Sequence, residues 1–277
     1  MNITIRGVRG SIPTFNPETM LYGGHTSCLE VVEDDCLLVL DAGTGIQNLN
    51  LSPNLDVHRI DILLTHLHID HIQGLGFFKP LFDSSKEVHI WGVGTKTKSL
   101  RARIGRYFSP PLFPVYFRNL ACKLIIHEID NSIFNIGPFT IQSQYIIHPG
   151  PTVGYRVQSP RGVLTFIPDH EPALGQLKLT NEISWLSGIE LASGADILMH
   201  DAQYTREEYR MKIGWGHSAM EDTLQFAAMA NVKKLYLFHH DPMHTDAMLD
   251  EMLKGLKENT SYPFPFEMAV EGTRIEL

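Results

Sequence analysis

Short apolar runs recur along the chain, and most of them end in a polar residue capable of chemistry. Leu37-Leu38-Val39-Leu40 runs into Asp41-Ala42-Gly43-Thr44-Gly45, and Ile60-Asp61-Ile62-Leu63-Leu64-Thr65 runs into a histidine cluster. The segment Thr140 to Ile147 ends at His148, and Gly162 to Pro168 ends at Asp169. Ala195 to Met199 leads to His200-Asp201, and Lys233 to Phe238 leads to His239-His240-Asp241. Runs of this length and composition predict strands. Sites collect where a rigid sheet releases the chain into loops, so the shared ending is itself a functional signal.

Helical patterns lie between several of these strands. Asn181 is placed to cap a helix carrying Ile183, Leu186 and Ile189, closed by Gly194. Ser218-Ala219-Met220-Glu221 reads as a capping box ahead of Leu224, Phe226, Ala227 and Ala230. Thr245 opens a last helix whose stripe is Met248, Leu249, Met252, Leu253 and Leu256, which is core packing. This order of elements predicts the α/β class: a four-layer αββα sandwich of two mixed sheets, with helices on both outer faces.

Length and composition narrow the picture. A chain of 277 residues exceeds the usual single domain, yet α/β proteins of this size commonly form one, so residues 1–277 are read as one domain. Hydrophobic content of 43% and charged content of 19% describe an ordinary globule. The net charge of −8 argues against general nucleic-acid binding, while leaving room for local basic patches. The strand-like start (Ile3, Ile5, Val8) leaves no long apolar leader region, and no run has bilayer-spanning length. Cys28, Cys36 and Cys122 lack metal-type spacing and cannot all pair internally, which points to thiols in a reducing cytoplasm.

The most concentrated chemistry is His66-Leu67-His68-Ile69-Asp70-His71. In an extended segment, i and i+2 point the same way, so His66 and His68 can grip one ion together. Asp70 and His71 fall where the chain turns and face elsewhere, which suits a second ion. Nitrogen and carboxylate donors favour zinc, with Mn2+ and Fe2+ as competitors. The alternative is a histidine-rich surface turn.

These residues resemble the metallo-β-lactamase superfamily, over nearly the whole chain. The resemblance implies that His66, His68 and His148 hold one ion, that Asp70, His71 and His239 hold the other, and that Asp169 bridges them. It implies that Asp41 orients a cluster histidine; a simple turn-forming role for Asp41 is the alternative. Leu198-Met199-His200-Asp201-Ala202-Gln203-Tyr204 and Gly216-His217-Ser218-Ala219 are similar to paired motifs of the ribonuclease Z and phosphonate-catabolism phosphodiesterase branch. There an acid steadies a histidine that meets the scissile phosphate, so Asp201 would hold His217. The openings Gly7 to Pro13 and Gly23 to Cys28 are also similar to that branch. His170 stands where the branch more often has threonine, leaving it as extra ligand, substrate contact or neither; His240 is an alternative to its neighbour His239.

The implied chemistry is a metal-activated hydroxide attacking phosphorus, with Asp70 taking a proton and His217 protonating the leaving oxygen. Leu100 to Leu120 interleaves arginines with aromatics and prolines, and Arg106 and Phe108 there are candidate substrate contacts. The same segment suits a core-covering loop or a homodimer contact. A lid or insertion at about 95–120 would roof the metals and favour a small substrate. The leading expectation is a dinuclear phosphodiesterase for cyclic nucleotides or similar small phosphodiesters. Ribonuclease Z-like cleavage of tRNA 3′ ends comes second, lowered by the lack of a long Gly-Pro-rich arm. A carboxyl-ester or β-lactam hydrolase comes third.

Overall fold

The computed structural model describes residues 1–49 and 58–277. Its first sheet combines β1 (Asn2–Gly7), β2 (Cys28–Glu33), β3 (Cys36–Leu40), β4 (Arg59–Leu63), β5 (Glu87–Val93) and β6 (Lys123–Ile129). The second contains β7 (Ser132–Ile136), β8 (Phe139–Tyr145), β9 (Val153–Ser159), β10 (Gly162–Ile167), β11 (Ile197–Asp201), β12 (Leu235–Phe238) and β13 (Phe266–Met268). The last strand, β14 (Arg274–Glu276), returns to pair with β1. The orders are β14-β1-β2-β3-β4-β5-β6 and β13-β12-β11-β10-β9-β8-β7. Both sheets are mixed: β3 to β6 and β10 to β13 run parallel, and the remaining pairs are antiparallel.

Parallel strands β3 and β12 read as unbroken apolar runs because both of their faces are buried. In β3, Leu38 and Leu40 face the second sheet, while Leu37 and Val39 meet the helical layer outside. In β11, Ile197 and Met199 join the inter-sheet core and Leu198 the outer one. Against the first sheet lie α1 (Ile69–Ile72) and α2 (Leu100–Tyr107). Against the second lie α3 (Ile189–Ala192), α5 (Met220–Met229) and α6 (Asp246–Asn259), with α4 (Arg206–Met211) nearby. The four-layer sandwich is the predicted one. Among the described residues, no helix is long and apolar enough to cross a membrane. The three cysteines are free.

Local expectations fared unevenly. Thr245 caps α6 by accepting from the Met248 amide, and Leu249 and Leu256 bury the predicted stripe. The helix expected from Asn181 to Gly194 is broken. Only a 3-10 turn (Ile183–Trp185) and four residues of α3 form, because Gly188 takes φ +73° between them. The Ser218 capping box is also absent: the hydroxyl donates to the His170 carbonyl at 2.6 Å, and Ala219 starts α5 without a side-chain cap.

The 95–120 segment is wall rather than roof. Leu100, Ile104, Phe108, Phe113 and Phe117 are buried against Ile60, Ile62, Val88 and Ile90 of the first sheet. Two of its arginines stack on its own rings, Arg101 over Phe117 and Arg118 over Tyr116, and Arg103 donates to the Val93 carbonyl. Phe108 is fully buried and is therefore not a substrate contact; Arg106 lies exposed on α2. Phe108→Ala should thus cost about 3–5 kcal/mol of stability with turnover of the folded protein unchanged. Urea unfolding alongside steady-state rates checks this, and a loss of turnover at full stability would restore the roof.

Candidate metal centre

Strand ends from both sheets bring residues from distant parts of the sequence to one rim. Asp41 follows β3, Thr65 to His71 follow β4, His148 follows β8, Asp169 follows β10, Asp201 ends β11 and His239 follows β12. Two donor groups result, each with ligand-capable atoms within 4.8 Å of one another: His66, His68, His148 and Asp169; and Asp70, His71 and His239; a third, Asp169, His217 and His239, overlaps both. The i, i+2 pairing of His66 and His68 holds, and the turn into α1 swings Asp70 and His71 into the second group.

Asp169 joins the two groups through different oxygens. Its Oδ2 lies 3.7 Å from His66 Nε2 and 3.6 Å from His148 Nε2. Its Oδ1 lies 3.1 Å from His71 Nε2 and 3.3 Å from His239 Nε2. Asp70 Oδ2 closes the second group at 3.2 Å from His71 Nε2 and 3.3 Å from His239 Nε2. His68 presents Nδ1, 3.2 Å from His148 Nε2. Asp41 fixes His71 by taking its Nδ1 at 2.7 Å, and also accepts from Thr65 N, Thr65 Oγ1 and Ser27 Oγ. Such outer partners set the tautomer and aim of a ligating imidazole. Asp41 and His239 both adopt left-handed backbone, φ 59° and 65°, a strain tolerated where geometry matters.

The charge balance fits divalent cations. Burial pushes His66, His68 and His148 below their ordinary value, leaving their lone pairs free at neutral pH. Burial also opposes charge on His71, but Asp169, Asp70 and Asp41 overcome it and hold that imidazole protonated well above the usual range. Burial likewise opposes ionisation of Asp70 and Asp169, and the surrounding imidazoles outweigh it. Carboxylates and imidazoles buried together at this spacing form a donor set that a divalent cation would satisfy. His66 Nε2, in the first group, and Asp169 Oδ1, which faces the second, are both buried without hydrogen-bond partners. The residues present therefore fit a pair of divalent ions.

Residues 37–240 match the family model described as the beta-lactamase superfamily domain. The chain belongs to the metallo-β-lactamase superfamily. It is 25% identical to a ribonuclease Z of Prochlorococcus marinus, over 88% of this chain and 89% of that one. A metallo-beta-lactamase fold protein of Bacillus subtilis, YhfI, superposes with TM-score 0.71 at 19% identity, covering 100% of this chain and 98% of its own. A diphosphatase of the PhnP family superposes at 0.70 and 16% identity, covering 100% and 96%.

Within this superfamily fold, the Asp201–His217 pair forms: His217 Nδ1 is 2.7 Å from Asp201 Oδ2, and its ring stacks on His239 at 5.1 Å. The histidines beside the donor groups go elsewhere. His170 is fully buried, with Nδ1 2.9 Å from His200 Nε2 and Nε2 2.7 Å from Ser187 Oγ. His240 is also fully buried, with Nε2 2.8 Å from the Ala269 carbonyl oxygen. Both side chains are enclosed by protein, which removes them as substrate contacts. The turn after β12 separates the two histidines: His239 takes left-handed backbone, φ +65°, and His240 beyond it pairs with Arg9.

Sequence reading missed the loop that closes the second group. Ser11, at φ +63°, donates its amide to Asp70 Oδ2 at 2.8 Å, and buried Arg9 ties that loop to the Gly23, Asp241 and His244 carbonyls. Gly10 lies so close to His239 that a Cβ would collide with the ring. The Gly-Val-Arg-Gly-Ser string was the available signal. Gly10→Ala should displace His239 and weaken one of two bound ions about 10-fold or more, leaving the other nearly intact. Titration with Co2+ or Zn2+, expected to reach two equivalents in the wild type, checks this.

Proposed function

We propose that this superfamily member is a dinuclear metal-dependent phosphodiesterase that hydrolyses small phosphodiesters such as cyclic nucleotides, with Zn2+, Mn2+ or Fe2+ as the ions. His66, His68, His148 and Asp169 would hold one ion, and Asp70, His71, His239 and Asp169 the other. The observation that carries the reading is the Asp201-held His217 standing beside the donor groups. A phosphodiester carries negative charge and loses a poor alkoxide, so its cleavage needs cationic stabilisation and a proton for the departing oxygen. Carboxyl-ester or β-lactam hydrolysis would leave this pair without a task.

When bound, the two cations supply positive charge for the phosphoryl oxygens and a hydroxide nucleophile at neutral pH. The chain's own residues do the rest. As the bond from phosphorus to the leaving oxygen breaks, His217 would deliver its Nε2 proton to that oxygen, while Asp201 accepts the Nδ1–H and steadies the imidazolium. Burial opposes charge on His217, but Asp201, then Asp169 and Asp70, raise it above its ordinary value. Asp70 is suited to cation binding rather than proton uptake, because His71 and His239 hold it ionised against the cost of burial.

Exposed apolar side chains next in sequence to site residues are compatible with a small organic substrate: Ile12, Ile69 and Trp215 are 57%, 50% and 62% exposed and follow or precede Ser11, Asp70 and Gly216. Net charge of −8 points the same way. A second reading, ribonuclease Z-like cleavage of tRNA 3′ ends, is favoured by curated relatives named ribonuclease Z spanning 88% and 93% of this chain. Those names run against the charge-based expectation that nucleic acid is not a partner. Parallel assays of bis-p-nitrophenyl phosphate, cyclic nucleotides, precursor tRNA and nitrocefin decide. Cyclic-nucleotide turnover supports the first reading; cleavage confined to precursor tRNA replaces it with the second; nitrocefin turnover alone refutes both.

His217→Ala should lower the rate by about 10²–10⁴ with both ions retained. Asp201→Asn tests the sign of the tuning. Asp201 keeps His217 protonated to higher pH, so its removal should move the alkaline limb of the kcat profile to lower pH, as a pH–rate series would show.

A further inference from the structure

Glu171 is a buried acid that the proposed chemistry leaves without a task, and the loop it holds carries the proton donor. Its carboxylate accepts three hydrogen bonds: Tyr209 Oη at 2.9 Å and Gly214 N at 2.8 Å reach Oε1, and Gly216 N at 2.9 Å reaches Oε2. Its own amide donates to the Ile147 carbonyl at 2.9 Å, one residue before His148. Gly214 and Gly216 have φ of +84° and +90°, backbone that side chains rarely adopt. A Cβ at Gly216 would also collide with Pro149 and the His148 ring.

The Gly216 carbonyl then completes a chain of contacts. It accepts His148 Nδ1–H at 2.7 Å, leaving Nε2 aimed at Asp169 and His68. His217, the next residue, is held by Asp201. A Gly-Trp-Gly loop has little stiffness of its own. Without the Glu171 carboxylate, two amides and a phenol would have to find other acceptors, and the loop would relax to do so.

We propose that Glu171 is a positioning residue acting through the Gly216 peptide, setting the aim of His148 as a metal ligand and of His217 as a proton donor together. This rests on the phosphodiesterase reading for its kinetic consequence, but the aim of His148 can be read without any metal. A loop anchor with no such role would alter stability alone.

The experiment compares wild type, Glu171→Ala, Glu171→Gln and Tyr209→Phe. In chelator-treated protein, imidazole 15N shifts report whether His148 holds its proton on Nδ1. Co2+ titration then gives the two affinities, and bis-p-nitrophenyl phosphate gives kcat and KM. Expected for Glu171→Ala is a mixed His148 tautomer, an ion held about 10–100-fold more weakly with the other changed less than about threefold, and kcat falling with KM nearly constant. Glu171→Gln, which keeps one acceptor oxygen, should fall between, and Tyr209→Phe, which leaves Gly216 its acceptor, should stay near wild type. Should Glu171→Ala fail to fold, Glu171→Gln alone decides by the same three readouts. An unchanged His148 tautomer, or equal weakening of both ions, overturns the proposal. Wild type that shows the ordered tautomer but binds no pair of ions refutes the metal reading and leaves the positioning of His148 standing.

Discussion

The buried carboxylate of Asp169 is the constraint on which the rim is built. A lone carboxylate there would face a desolvation cost of several kcal/mol, and proteins meet such a cost with opposite charge or hydrogen bonds. Here the compensation comes from imidazoles on both sides, one set toward each oxygen, delivered from β4, β8 and β12. Each strand must therefore end at the right height on the rim. The apolar layers above and below supply that alignment together with the register of each strand on its neighbours, parallel for β4 and β12 and antiparallel for β8.

Two carboxylates repeat one device on the two sheets. Asp41 at the end of β3 holds His71, and Asp201 at the end of β11 holds His217, each at 2.7 Å from Nδ1. Each also accepts backbone or hydroxyl donors from its own neighbourhood, so the acid is fixed before it fixes the histidine. What differs is the surroundings of the imidazole. His71 Nε2 faces Asp70 and Asp169 together, which suits a cation; His217 sits at the edge of the groups beside the exposed Trp215, which suits proton delivery to something arriving from solvent.

The Arg- and aromatic-rich 95–120 segment spends its rings on the outer face of the first sheet. The surface beside the donor groups is made by the loops around Ser11, Ile69 and Trp215, which are held from beneath by backbone contacts to Asp70 and Glu171. Precise chemistry under a loosely specified apolar rim is an arrangement in which substrate choice can change without disturbing the ion-binding residues.

By itself, the amino-acid sequence determined the parts that depend on local periodicity. The doubly buried strands announced themselves as unbroken apolar runs, and Thr245 announced α6. The donor residues stood out because each follows such a run, and i, i+2 spacing already paired His66 with His68. Tertiary structure alone decided which polar residues look inward. His239 and His240 are chemically identical neighbours, and only the turn after β12, with His239 in left-handed backbone, sends one to the donor group and the other to the Ala269 carbonyl. Ser218 kept the signature of a helix cap yet its hydroxyl went to His170, and Phe108 looked like a base platform yet filled a core. Glu171 gave no local signal, because its partners Tyr209, Gly214 and Gly216 are about forty residues away along the chain. Periodicity reports how a residue sits on its own element; what stands opposite it is set by the packing of elements that are remote in sequence.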